Sequence, residues 1–227
     1  MAPGGPAAQP GGMVWGGPTS EGLGHDGAVP SPHEGADPAG SREVDRAARM
    51  RLFVAVDVPL GVRTAVESAV APLRPLAPAL RWTEPAQWHL TVAFLGGTPP
   101  GQLTEVREAV GDVAAAAHPF TLRLSGKAGT FRGGVLWAGL EEAPMLAELV
   151  EALRERVAPL GFDLGDEPFR GHLTLARASR GDHRTAEVAE RYQGPRSPWT
   201  VRNVALMRSR LGIGGARYTV TQEWSLG

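Results

Sequence analysis

Apolar positions fall into regular patterns only from Met50 onward. Leu52 to Val58 is a near-continuous apolar run closed by Pro59 and predicts a strand. Val62 to Leu73 sets Val62, Val66, Ala69, Val70 and Leu73 on one stripe, the spacing of an amphipathic helix. Pro72, Pro75 and Pro78 end it, because proline cannot continue a helix interior. Leu80 to Thr83 reads as a short extended piece and Trp88 to Leu95 as a second strand, followed by the turn cluster Gly96 to Pro100. Leu103 to Ala117 predicts a helix with Leu103, Val106, Val110 and Val113 inward. Phe120 to Ser125 alternates apolar and polar, a half-buried strand, and Gly126 to Gly134 reads as a glycine-broken loop. Val135 to Leu140 is a strand, and Pro144 opens a helix that runs through Leu160. Phe169 to Ala176 is a strand and Thr185 to Tyr192 a short helix. Thr200 to Arg210 and Ala216 to Leu226, joined at Gly212-Ile213-Gly214-Gly215, predict a hairpin.

The order strand, helix, strand occurs twice: Leu52–Val58, Val62–Leu73, Trp88–Leu95, and again Val135–Leu140, Met145–Leu160, Phe169–Ala176. The pattern predicts an α/β (α+β) fold of two similar lobes facing each other across a cleft, the second assembled partly from the C-terminal hairpin.

Residues 1–49 behave differently. They hold eleven Gly and seven Pro with few large apolar residues and no periodicity. Such a stretch cannot bury enough surface to offset its ordering entropy. The expected organisation is a disordered extension over 1–49, or a start placed upstream of the true initiator Met50, then one domain over 50–227. His25 and His33 fall in the extension and read as solvated.

The formal net charge of −1 argues against a surface built for wholesale duplex binding. Lys127 is the single lysine and lies in no P-loop or nucleotidyl-transfer motif, which argues against ATP chemistry of those types. With no cysteine there is no disulfide framework, thiolate zinc site or Cys nucleophile. No apolar run reaches the roughly 18 residues of a membrane span, and no signal peptide opens the chain. A cytoplasmic monomer is the expectation, with no large apolar stripe left over once the helices are packed.

Candidate chemistry lies in His89-Leu90-Thr91-Val92 and His172-Leu173-Thr174-Leu175. Side chains alternate along a strand, so each tetrad presents an imidazole and a hydroxyl on one face and its apolar pair on the other. Together they use two of only six histidines. Imidazole titrates near 6.5, so one ring of a pair can be neutral while the other is protonated. That is the requirement for displacement at phosphorus, one ring taking a proton from the attacking hydroxyl or water and the other giving one to the leaving oxygen. The Thr91 and Thr174 hydroxyls can donate to the non-bridging phosphate oxygens. This chemistry needs no metal or other cofactor, and no carboxylate-rich cluster is present to hold a metal. His118, before a proline, and His183, in a polar turn, read as structural or surface residues.

Two His-x-Thr-x motifs about eighty residues apart resemble the 2H phosphoesterase superfamily. Residues 51–59, Arg81-Trp82, 89–96, 135–139, Phe169 to Arg177, and Ser209-Arg-Leu with Gly215 to Tyr218 resemble, in order, the RNA 2′,3′-cyclic phosphodiesterase family, also called 2′-5′ RNA ligases. The resemblance implies a bilobal fold of two pseudo-symmetric antiparallel β-sheets with flanking helices around a central cleft. It implies hydrolysis of RNA 2′,3′-cyclic phosphate ends, including those of tRNA fragments or small nucleotides, to 2′-phosphomonoesters, with reversible 2′-5′ ligation. By position it makes His89 the proton donor to the 3′ leaving oxygen, His172 the base, and Thr91 and Thr174 the phosphate holders. Arg177 is a further phosphate contact, although its parity places it on the opposite strand face unless the strand bends there. Phe53 and Trp82 are expected to line a base pocket, core packing being the alternative. Gly171 stands where the family commonly has proline, which predicts a less fixed His172. Rival readings are a phosphodiesterase of another cyclic nucleotide or 2′-5′ oligonucleotide, an RNA-end binding module without turnover, and a metal hydrolase.

Overall fold

Pro59 divides the first two elements. The apolar run before it forms β1 (Met50–Asp57), and α1 (Leu60–Val70) starts just after it and buries Val62, Val66 and Val70. Pro72 and Pro75 lack the N–H that the next α-helical turn would donate, so the chain tightens into a 3₁₀ segment over Ala71–Leu76. The structure is a computed structural model that describes residues 49–132, 134–178, 184–212 and 215–227. The readings of residues 1–48, His183, Ile213 and Gly214 lie outside the described residues.

The remaining helices are α2 (Leu103–Ala116), α3 (Pro144–Val157) and α4 (Thr185–Arg191). α2 buries Val106, Ala109, Val110, Val113 and Ala114, while Leu103 is half-buried at its start. α3 buries Leu146, Leu149, Val150, Leu153 and Val157, and its last expected turn, Ala158–Leu160, is 3₁₀. None of the helices in the described residues is long and apolar enough to cross a membrane.

The strands after β1 are β2 (Arg81–Trp82), β3 (His89–Thr98), β4 (Phe120–Phe131), β5 (Val135–Leu140), β6 (His172–Arg177), β7 (Pro198–Val201), β8 (Asn203–Gly212) and β9 (Gly215–Ser225). Their order is β7-β4-β5-β6-β3-β1-β8-β9, with β2 beside β6 and every pair antiparallel. Two four-stranded halves therefore meet where β3 touches β6, and one register pair, Leu90 with Leu173, joins them. Beyond that pair β2 takes the edge of β6, opposite Ala176 and Arg177. Each tetrad strand is the innermost strand of its half, which is the bilobal α/β arrangement expected.

Two expectations are corrected. The C-terminal hairpin completes the first half: β8 pairs with β1 through Leu206 opposite Val54, and β9 follows β8. The second half is completed by β4 and β7. The run read as one strand from Thr200 is two, because the chain leaves the β4 edge after Val201 and joins β1 from Asn203. No glycine or proline marks that crossing. The second correction concerns Gly126 to Gly134. β4 continues to Phe131, with the register shifting between Leu124 and Ala128 around Gly126, whose φ is +75°. These glycines accommodate a bulge and a close side-chain approach, and the strand persists through them.

Candidate active site

The Leu90–Leu173 pair explains how the two tetrads become one site. Both leucines are fully buried, so their neighbours His89, Thr91, His172 and Thr174 point to the other face. Continuing the antiparallel register from that pair sets His89 across from Thr174 and Thr91 across from His172, with the two histidines diagonal to each other, a twofold arrangement about the leucines. All four line one cleft of about 570 Å³, together with Arg177, Phe53 and Trp82. Every site residue read from the sequence is thus brought to the same cavity.

The two imidazoles are held alike. His89 Nδ1–H donates to the Gln87 carbonyl oxygen at 2.8 Å, and His172 Nδ1–H donates to the Arg170 carbonyl oxygen at 2.8 Å. A carbonyl can only accept, so Nδ1 carries hydrogen and Nε2 is the nitrogen left to take up or release a proton. Burial lowers the pKa of both rings from the ordinary histidine value. The backbone hydrogen bonds oppose that shift, and the positive charge of Arg177 adds to it at both rings. Asp57 also opposes it at His89 alone. Despite Gly171, His172 makes the same kind of carbonyl contact at the same length as His89. A Cβ at Gly171 would lie 2.7 Å from Leu140 Cδ1 and 3.2 Å from Leu146 Cδ2, so the segment is closely packed.

Arg177 reaches the cleft because β6 bends. Trp137 of β5 is opposite Thr174, yet the next residue back, Leu136, is opposite Ala176. Leu175 is therefore an extra residue, and the alternation shifts by one beyond it. Leu175 and Ala176 are consecutively buried as a result. β3 does the same at Val92, between the pairs Ala55–Thr91 and Val54–Ala93. The matched bulges bring Phe94 to the position on β3 that Arg177 holds on β6. Phe94 is 51% exposed in the cleft, with the Arg51 guanidinium 5.7 Å from its ring centroid.

Aromatic rings wall each histidine. Phe53 and Tyr218 stand 4.9 and 4.8 Å from the His89 ring, centroid to centroid. Phe131 and Trp137 stand 4.8 and 6.5 Å from that of His172. Phe53 is only 2% exposed, so it supports His89 and presents no open face to a base. Trp82 is half-buried at the cleft, and its indole N–H donates to the Ala77 carbonyl at 3.2 Å. Sequence reasoning missed Phe94, Phe131, Trp137 and Gln87 as site residues. The matched six-residue stretches from His89 and His172 held the signal for Phe94. The side chain of Gln87, which accepts from the Tyr218 N–H at 2.9 Å, left no sequence signal. Among the described residues no group of three or more His, Cys, Asp or Glu is placed to hold a metal ion.

Residues 62–212 match the family model described as the 2′-5′ RNA ligase superfamily. An RNA 2′,3′-cyclic phosphodiesterase of Thermus thermophilus is 35% identical over 191 residues, covering 78% of this chain and 90% of the relative. One of Geobacillus stearothermophilus is 34% identical over 138 residues, and there the match spans 59% of this chain and 44% of the relative. Among solved structures, Escherichia coli LigT complexed with 3′-AMP superposes with a TM-score of 0.66 at 28% identity, covering 78% of this chain and 98% of that one.

Proposed function

The chain belongs to the 2′-5′ RNA ligase superfamily, and we propose that it hydrolyses RNA 2′,3′-cyclic phosphate ends to 2′-phosphomonoesters by paired-histidine acid–base catalysis. It is an enzyme of the cyclic phosphodiesterase class, as its relatives are. One observation carries the mechanistic reading: two His–Thr pairs related by a twofold about Leu90 and Leu173, each ring tied at Nδ1 and free at Nε2.

In this reading the cyclic phosphate sits between the imidazoles, and the Thr91 and Thr174 hydroxyls donate to its non-bridging oxygens. Arg177 adds a positive charge where negative charge accumulates. His172, neutral at Nε2, takes the proton of the attacking water. His89, protonated at Nε2, gives a proton to the departing 3′ oxygen. Burial lowers the pKa of both rings in the free enzyme, and a bound phosphate anion opposes that shift. The step consumes water and needs no metal. Replacing water by a 5′-hydroxyl gives 2′-5′ ligation, and its reverse gives cleavage.

The catalytic domain in this reading is residues 50–227, acting as a cytoplasmic monomer, and residues 1–49 are an appendage. Phosphorus NMR of a short RNA ending in a 2′,3′-cyclic phosphate, incubated with excess chelator, is the test. Conversion to the 2′-phosphate alone, abolished in His172→Ala, is expected. A 3′-phosphate product would reverse the leaving oxygen, and no conversion would remove RNA ends as the substrate.

A further inference from the structure

Three successive rows cross the first half of the sheet on its cleft face, spaced two residues apart along β1. Thr91 stands opposite Ala55, Phe94 opposite Phe53, and Ser209 opposite Arg51. Thr91, Phe53, Phe94, Arg51 and Ser209 all line the cleft. The outermost row has no part in the chemistry described so far, yet its groups suit an anion. Ser209 is 8% exposed, and among the described residues its hydroxyl makes no hydrogen bond. A buried hydroxyl without a partner is costly unless a ligand supplies one. Arg51, directly across the strand pair, is exposed and makes no ion pair among the described residues. Its guanidinium, 5.7 Å from the Phe94 ring centroid, is held beside that ring. Among the described residues lining the cleft, Glu84 is the one carboxylate, against Arg51, Arg81 and Arg177.

We propose that Arg51 and Ser209 form a second phosphate subsite, which takes the phosphate on the 5′-oxygen of the terminal nucleoside. The inference rests on the proposed seat of the cyclic phosphate between the imidazoles. From the Thr91 row at that seat, the Arg51–Ser209 row lies four residues along β1, about 13 Å of strand. A short serine side chain at that separation does not reach the cyclic phosphate, so this row meets a different one. Between the two lies Phe94, the exposed ring of the middle row. The rows thus run from hydroxyl and imidazole, through an aromatic ring, to guanidinium and hydroxyl. That is the order of an RNA end read from its cyclic phosphate, through the nucleoside, to the 5′-phosphate. Arg51 offers charged N–H donors and Ser209 an O–H to a group that mainly accepts. Arg81, the remaining cleft guanidinium, stands opposite Arg177 in the other half and has no hydroxyl across from it. The same phosphate occurs free on a 5′-phosphorylated mononucleotide and as the diester of a longer chain.

The test is the ratio of kcat/KM with the 5′-phosphate to kcat/KM without it, which cancels any general loss of rate. Adenosine 2′,3′-cyclic phosphate is the reference. Its 5′-phosphorylated form and the dinucleotide ApA 2′,3′-cyclic phosphate are the two probes. Both probes are expected to exceed the reference by about tenfold, the size of one charge-assisted hydrogen bond. Arg51→Gln is expected to bring both ratios close to one, Ser209→Ala to lower them less, and Arg81→Gln to leave them in place. Added salt should lower the wild-type ratios, and Arg51→Gln should remove that dependence. Wild-type ratios near one, or ratios unmoved in Arg51→Gln, would overturn the subsite while hydrolysis of the reference continued. Equal falls in Arg51→Gln and Arg81→Gln would overturn it as well, leaving only the general field of the cleft. A gain for the dinucleotide alone would assign the preference to the preceding nucleoside and overturn the phosphate. Absence of turnover on all three substrates would instead overturn the proposed function, and the subsite with it.

Discussion

Asp57 stands directly opposite His89 in the register between β1 and β3, whereas the matching position opposite His172 on β5 is Gly139. The twofold of the site is broken there by a single carboxylate. A negative group beside one imidazole favours its protonated form, and the glycine offers the other ring nothing comparable. Asp57 therefore raises the His89 pKa, against the lowering by burial and by the charges of His172 and Arg177. Asp57 also pairs with Arg63 of α1, an exposed contact that contributes little to stability.

Asp57→Asn tests this directly. Removing the charge lowers the His89 pKa further, so the alkaline limb of the kcat/KM profile should move to lower pH. The activity lost at neutral pH should return on acidification. A profile that keeps its alkaline limb in place would show that Asp57 does not tune the acid.

The wild-type pH profile has its own expected form. Burial lowers both rings, so the pair should titrate in two macroscopic steps below the ordinary histidine range in the free enzyme. The kcat/KM optimum therefore falls on the acid side of neutrality. The kcat profile, which reports the complex, should lie at higher pH, because the bound phosphate anion raises both rings.

Arg177→Ala should act in two ways at once. Loss of a phosphate contact raises KM and lowers kcat. Loss of a positive charge near both imidazoles raises their pKa values, so the kcat/KM optimum moves to higher pH, opposite to Asp57→Asn. His172→Ala and His89→Ala should each cost about 10² to 10⁴ in kcat, and the double variant far less than the product of the two losses. Steady-state kinetics on a cyclic-phosphate dinucleotide separates these cases.

Arg177 also shows what the sequence could carry and what it could not. Strict alternation from His172 sends it to the wrong face, and only the bulge at Leu175 returns it to the cleft. The same bulge at Val92 turns Phe94 inward, so the matched motifs encoded the bend as well as the tetrads. Local periodicity was enough for most strands and helices, because each buries a stripe or a face, but not for the division of the run from Thr200 into β7 and β8 or for the continuation of β4 to Phe131. Which half the hairpin joins depends on a pairing between residues some 150 positions apart, Val54 with Leu206, and no local pattern specifies it. The Phe131 and Trp137 wall was hidden for a related reason. The glycines that make room for the indole read locally as a broken loop.

Gly129 is accordingly where the second half should be least tolerant. A Cβ there meets Trp137 Cζ2 at 2.4 Å, and the indole cannot retreat without losing its packing on Phe131. Overpacking of this kind costs about 1–3 kcal/mol, so Gly129→Ala should lower the thermal midpoint by several degrees. Gly171→Ala meets the ends of two leucine side chains, which can rotate away, and should cost less. The displaced indole lies beside His172, so Gly129→Ala should also reduce kcat, whereas Gly171→Ala keeps the Arg170 carbonyl in place and should leave kcat nearly unchanged. Thermal denaturation and kinetics on the two variants decide it; equal losses in both would show that Trp137 is ordinary packing with no part in holding the base.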